Sequence, residues 1–204
     1  LKCLQNLAYD QFYCEHIYIF STLSLREVLK NFNLEIFDVE NTKTHGGSNR
    51  YYIKKNSNSL YKISNRVKIE IKKELQFGIN KFLTYQTFAK KVKISKNKLL
   101  KIFSSLSKKK LRIVGYGATA KSCTVLNYCG LGKSDIKYFY DTTSYKVNKY
   151  LPGSKILIKK YKKLNRKEID VVFLGAWNFK KEIFKKEKQF IKRGGKFITH
   201  VPYP

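Results

Sequence analysis

Four consecutive residues, Tyr13-Cys14-Glu15-His16, place a phenol, a thiol, a carboxylate and one of the chain's three histidines side by side. An imidazole with a reference pKa of about 6.5 acts as a base at neutral pH without a large shift, and a neighbouring phenol and carboxylate supply a donor and an orienting acceptor. A second polar turn, His45-Gly46-Gly47-Ser48, enters a segment carrying Arg50; its glycines admit either a substrate near the backbone or a bulge. A third, Gly115-Tyr116-Gly117-Ala118-Thr119-Ala120, is a GxGxxA turn followed at once by Lys121. In a strand-turn-helix setting Gly115 permits the tight turn, Gly117 lets a phosphate or sugar approach the backbone, and Ala120 lets helix and strand pack closely. Amides at the helix start face an anion. Asp141 stands where such a fold places its ribose-binding carboxylate. On these residues alone the turn describes a nicotinamide-dependent oxidoreductase, a sugar-nucleotide binding module, or a plain tight turn.

Three stretches must position these groups. Residues 1–56 read as a polar-aromatic segment, a helix and two strands: Ser24 caps a helix with Leu25, Val28, Leu29 and Phe32 on one face, and Asn33 is its left-handed stop. Leu34–Glu40 alternates as a half-buried strand, and Ser48–Ile53 follows as a second. Residues 57–109 form a lysine-rich helical connector whose Phe88, Val92, Leu99, Phe103 and Leu106 make one apolar stripe. Residues 110–204 alternate strand and helix. Strands are expected at Leu111–Val114, Ile136–Tyr140, Asp170–Leu174 and Lys196–Val201, with a helix through Cys129 and another capped by Asn178 and stopped at Gly194-Gly195. That alternation makes the fold class α/β, with a Rossmann-like parallel sheet domain at the C-terminus.

Bulk properties narrow the partners. The chain has 204 residues, 43% of them apolar, which supports globular domains. Its net charge of +29 invites a nucleic-acid or anionic-membrane reading. Against it, nearly all the positive charge is lysine, in doublets scattered over the whole length, as solvated faces carry it. No nucleic-acid or membrane partner is therefore expected. The four cysteines show no CxxC pair and no zinc-finger spacing, so reduced thiols in a cytoplasmic protein and no metal site are expected. The chain starts Leu-Lys-Cys and contains no methionine, so further sequence ahead of Leu1 is expected.

Taken in order, the polar segments resemble one family. FYCEHIYIFS (Phe12–Ser21) resembles the Y-H-E-H segment of sugar C-methyltransferases, which methylate carbon three of nucleotide-linked keto-deoxysugars. FDVENTKTHGGSNRYYI (Phe37–Ile53) resembles their FDVE…HGGS-R-Y block, and GYGATAKSCTVLNYCG (Gly115–Gly130) their GYGAxAKG…LNYCG block. YLPGSKI (Tyr150–Ile156) and AWNF (Ala176–Phe179) follow at fitting positions. Cys14 departs from the family's histidine, Thr119 and Ala176 from prolines, and Ser122 from glycine.

The resemblance implies an N-terminal zinc module and an S-adenosylmethionine domain ahead of this sequence, neither of which is present here. Residues 1–56 would then be the last helix and strand pair of a class I methyltransferase sheet, and the chain by itself should not methylate. It also implies His16 as general base with Tyr13 and Glu15 beside it. The groups that would line a nucleotide-linked sugar are His45, Gly46, Gly47, Ser48 and Arg50 together with Gly115, Tyr116, Gly117, Ala118, Lys121, Asp141 and Asn178. Deprotonating a carbon next to a ketone with an imidazole is uphill by about 12 pKa units at about 1.4 kcal/mol each, so positioning and enolate stabilisation must supply most of the difference.

Overall fold

A computed structural model of the chain describes residues 1–42 and 44–204, with the backbone alone at His45. The chain divides into two compact units, one of Leu1–Asn6 and His16–Lys90, the other of Leu7–Glu15 and Lys91–Pro204. Among the described residues no helix is long and apolar enough to cross a membrane.

The first unit contains α1 (Lys2–Gln5), α2 (Thr22–Lys30), the antiparallel ribbon of β1 (Leu34–Thr42) and β2 (Ser48–Lys55), α3 (Asn65–Phe77) and the start of α4 (Phe82–Lys108). The helix cap is Ser21, one turn before the expected Ser24, which instead completes a capping box from inside the helix. A long-range contact explains the earlier start: the buried Glu74 carboxylate accepts from the amides of Thr22 (2.8 Å) and Leu23 (2.9 Å), donors that a helix start leaves unpaired. Asn33 is left-handed, as expected of the stop. Val28 and Phe32 are exposed, and the small core is made by Leu29, Ile36, Val39 and Val67. Ile36 and Val39 lie three apart because the register shifts between Ile36 and Asp38, a bulge that breaks the expected alternation.

The second unit is built on a five-stranded, all-parallel sheet in the order β5-β4-β3-β6-β7. The strands are β3 (Ile113–Tyr116), β4 (Phe139–Asp141), β5 (Ile158–Lys160), β6 (Val171–Leu174) and β7 (Lys196–Ile198), with α5 (Ala120–Cys129) joining β3 to β4 and α6 (Lys180–Lys186) and α7 (Lys188–Lys192) joining β6 to β7. That strand order is Rossmann-like, with the change of direction between β3 and β6. Val114, Tyr116, Tyr138, Tyr140, Val172 and Leu174 fill one layer with Ile183 and Phe190 from α6 and α7. In the other layer Phe103 of α4 meets Phe173 (6.0 Å between ring centroids), which meets Phe139 (6.3 Å).

Several boundaries differ from expectation for local reasons. β3 starts at Ile113 because Lys110 is left-handed and the Leu111 amide closes α4 on Leu106. Gly115 and Tyr116 are therefore strand residues. β5 contains Lys159-Lys160, one of the scattered lysine doublets whose pattern points to solvated faces rather than to a strand. Asn178 lies in a 3-10 turn at Trp177–Phe179 and caps no helix; the helix that follows starts at Lys180 and is interrupted at Glu187. The Glu187 carboxylate turns into the core to accept from the Tyr161 hydroxyl (2.6 Å) and the Leu164 amide (3.2 Å).

Candidate functional site

The carboxyl ends of β3 and β6 flank the point where strand order reverses, the place where open parallel sheets bind ligands. Gly117 turns there at φ +85°, a backbone that side-chain-bearing residues avoid. A Cβ at Gly117 would stand 2.6 Å from the Cβ of Ala176, so the β6 loop fills the space above this glycine. Asp141 braces the turn: its Oδ2 accepts from the Ala118 amide (2.8 Å) and its Oδ1 from the Thr143 amide (2.8 Å). Thr119 caps α5 by accepting from the Ser122 amide (3.1 Å), and the Ser122 hydroxyl donates to the Gly117 carbonyl (2.7 Å). Lys146 reaches in from the loop after β4 and donates to the Ala118 carbonyl (2.9 Å). Lys121 is buried, with its Nζ 5.0 Å from the centre of the Trp177 ring. The Lys146 ammonium also stands 3.9 Å from Asp141 Oδ2, so its charge already faces a carboxylate at the turn.

The N-terminal segment of this unit runs along α5. Leu7, Ala8, Tyr9, Asp10 and Gln11 are all buried. The Tyr9 ring meets Tyr128 near the end of α5 (5.6 Å), and the Thr124 hydroxyl donates to the Phe12 carbonyl one turn closer to the start of that helix (3.4 Å). Cys14 is near enough to Cys123 to oppose its ionisation, although burial is the larger cause of the raised Cys123 pKa. The segment therefore climbs α5 from its C-terminal end towards the glycine turn, and Tyr13 and Glu15 are the residues it delivers. Partial burial, then the neighbouring Glu15 and Asp10 carboxyls, push the Tyr13 phenol above its ordinary range, which keeps it a proton donor at neutral pH.

Asp10 holds this segment in place. Its fully buried carboxyl accepts through Oδ2 from the Trp177 indole (2.5 Å) and from His200 Nε2 (2.9 Å). Accepting from that ring nitrogen requires the Nε2-protonated form of His200. The His200 ring stacks on Phe173 (5.8 Å) and meets the edge of Tyr9 (5.9 Å).

Of the residues picked from sequence, Tyr13, Glu15, Gly117, Ala118, Lys121, Asp141 and Asn178 belong to this unit; Gly117, Ala118 and Asp141 meet at the glycine turn, and Asn178 lies in the loop after β6. Gly115 and Tyr116 serve the core. A Cβ at Gly115 would run into the Phe139 ring, and the Tyr116 ring packs on Tyr161 (5.4 Å) with its phenol pushed up to about 12 by burial and Glu187. His16, Gly46, Gly47, Ser48 and Arg50 belong to the other unit. There the Ser48 hydroxyl donates to the Thr44 carbonyl (3.1 Å), and Arg50 pairs across the ribbon with Glu40 (3.3 Å). The His45 side chain lies outside the described residues.

Sequence reasoning missed Asp10, Lys146, Trp177 and His200 as site residues. The signals were slight: Trp177 is the sole tryptophan, His200 is one of three histidines, and Asp10 stands three residues before Tyr13. Their meeting depends on contacts over as many as 190 positions of sequence separation.

A family described as the C-methyltransferase C-terminal domain matches residues 43–202. The C-methyltransferase NovU of Streptomyces niveus is 30% identical over all 204 residues, and the chain spans about half of that protein's length (48%).

Proposed function

This chain belongs to the C-methyltransferase C-terminal domain family, and from that premise we propose that it takes part in S-adenosylmethionine-dependent C-methylation of a nucleotide-linked keto-deoxysugar in the cytoplasm, with His16 as the base. The observation that supports the reading is the course of residues 9–12 along α5, which leads the chain into Tyr13 and Glu15 from a helix that starts at the carboxyl end of a Rossmann-ordered sheet. Lys121, Lys146 and the start of α5 face the sugar nucleotide's phosphates.

In the proposed step the C–H bond next to the ketone breaks, its proton passes to the His16 imidazole, and its electron pair moves into the enolate. Tyr13 donates to the enolate oxygen. When bound, the methyl donor supplies an electrophilic methyl on a sulfonium. The glycine turn does not fit its adenosyl ribose, because both Asp141 oxygens already accept backbone amides and Ala176 fills the space over Gly117. We assign the methyl donor to residues other than this turn. The same geometry disfavours a nicotinamide cofactor in the turn.

The test is methyl transfer by the full-length protein from labelled S-adenosylmethionine to a nucleotide-linked keto-deoxysugar, wild type against His16→Ala. Loss of transfer with retained S-adenosylmethionine binding is expected. Normal turnover by the variant removes His16 as base, and tight binding of NAD to the protein favours the oxidoreductase instead.

A further inference from the structure

We infer that Asp10 is a positioning residue for this reaction, seating segment 7–15 on the C-terminal sheet and so setting where Tyr13 and Glu15 stand. The inference rests on the proposed function and adds a residue to it.

Three segments far apart in sequence meet at one carboxyl group. They are the turn that leads into Tyr13, the loop after β6 that carries Trp177, and the tail after β7 that carries His200. All three lie within the second unit. Asp10 and His200 are each 0% exposed, and Asp10 Oδ1 and His200 Nδ1 have no hydrogen-bond partner among the described residues.

Such an arrangement is a poor choice for stability alone. A buried acid–imidazole pair loses its water on both partners, and leaving one further polar atom unpaired on each adds to that cost. Apolar residues of similar volume would pack here at no loss. What the pair gives is directional. Trp177 and His200 both donate to the same oxygen, which fixes the rotation of the Asp10 side chain and with it the 3-10 turn at Tyr9–Gln11. The His200 ring is itself held between Phe173 and Tyr9, so it cannot swing away without opening the core. Four residues separate Asp10 from Glu15, and Phe12 among them makes the Thr124 contact on the way. A shift at Asp10 is therefore passed on to Tyr13 and Glu15 with little slack. A displacement of about 1 Å at reacting groups lowers rates about 100-fold.

Two measurements on Asp10→Ala, with Asp10→Asn and His200→Gln as milder variants, decide the matter. The first is amide hydrogen exchange of this chain. Faster exchange across residues 7–16 with unchanged protection in 111–116 and 170–174 is expected, and unchanged exchange across 7–16 overturns the clamp. The second is steady-state kinetics of the full-length enzyme. We expect kcat to fall about 100-fold in Asp10→Ala with KM for the nucleotide-linked sugar within about threefold, and a smaller fall in Asp10→Asn, which keeps one acceptor oxygen. A released segment with wild-type kcat overturns the positioning role, as does a loss confined to KM. If wild-type enzyme transfers no methyl group to any such sugar, the functional reading fails, and the exchange experiment still decides whether Asp10 seats the segment.

Discussion

The ribbon unit and the parallel-sheet unit hold themselves together by different means. In the ribbon unit β1 buries Ile36 and Val39 in the core with Leu34 packed partly buried against them, and Phe32 (67% exposed) and Ile17 (79%) lie open to solvent. Its joins are polar: Glu74 on the first amides of α2, and Asp38 on Ser64 and Arg66. In the other unit all of β6 is buried and apolar, and polar joins gather at the strand ends. Asp170 ties Arg112 and Arg166 at the amino ends, while Asp141 and Asp10 work at the carboxyl ends. The contrast separates two uses of a buried carboxylate. Where apolar layers are thin, it closes the structure. Where they are thick, it is free to arrange a site.

The largest effect should follow from truncating the thick layer. Phe173→Ala removes a fully buried ring that meets Phe103, Phe139 and His200, and should cost about 3–5 kcal/mol in urea unfolding followed by Trp177 emission. In the ribbon unit, Glu74→Ala strands two amide donors and should cost about 1–3 kcal/mol, read by amide exchange in α2 and β1, with Glu74→Gln retaining most of the stability. A cost for Glu74→Ala as large as that for Phe173→Ala would erase the contrast. Gly117→Ala should cost about 1–3 kcal/mol through its positive φ and the contact with Ala176, and Ala176→Gly should recover part of that cost.

Acid should act more weakly, and on both units. Hydrogen bonds from Arg112 hold the Asp170 carboxyl well below its ordinary range against the opposing effect of burial; Arg66, with Ser64, lowers Asp38 to about 2. A folded-state pKa below the unfolded one means stability that is present above the unfolded value of about 3.9 and is lost as pH falls through the folded value. Unfolding midpoints should therefore drop as pH falls below about 4. Asp170→Asn and Asp38→Asn should each lower stability at neutral pH and flatten that drop. The Asp38 change should be the smaller, because its arginine partner lies largely in water.

Much of the second unit was legible because its strands are short apolar runs between glycine turns and its helices keep a regular stripe. The cap at Ser21 was missed because Glu74, more than 50 residues away, decides where α2 starts. β5 was missed because two of its three residues are lysines, and neighbouring β4 makes it a strand. Tyr13, Glu15 and the glycine turn stand out in the sequence because their chemistry is local. Asp10, Trp177 and His200 acquire their roles only by meeting one another, and no periodicity records that. Tyr116 and Gly115 show the converse, since a ligand-like motif supplied two residues to the core.

The proposal that His16 takes a carbon-bound proton is tested most directly without the methyl donor. Full-length enzyme incubated with a nucleotide-linked keto-deoxysugar in deuterium oxide should exchange the hydrogen next to the ketone, and His16→Ala should lower that exchange at least about 100-fold while still binding the sugar. Wild-type exchange by His16→Ala would contradict the account.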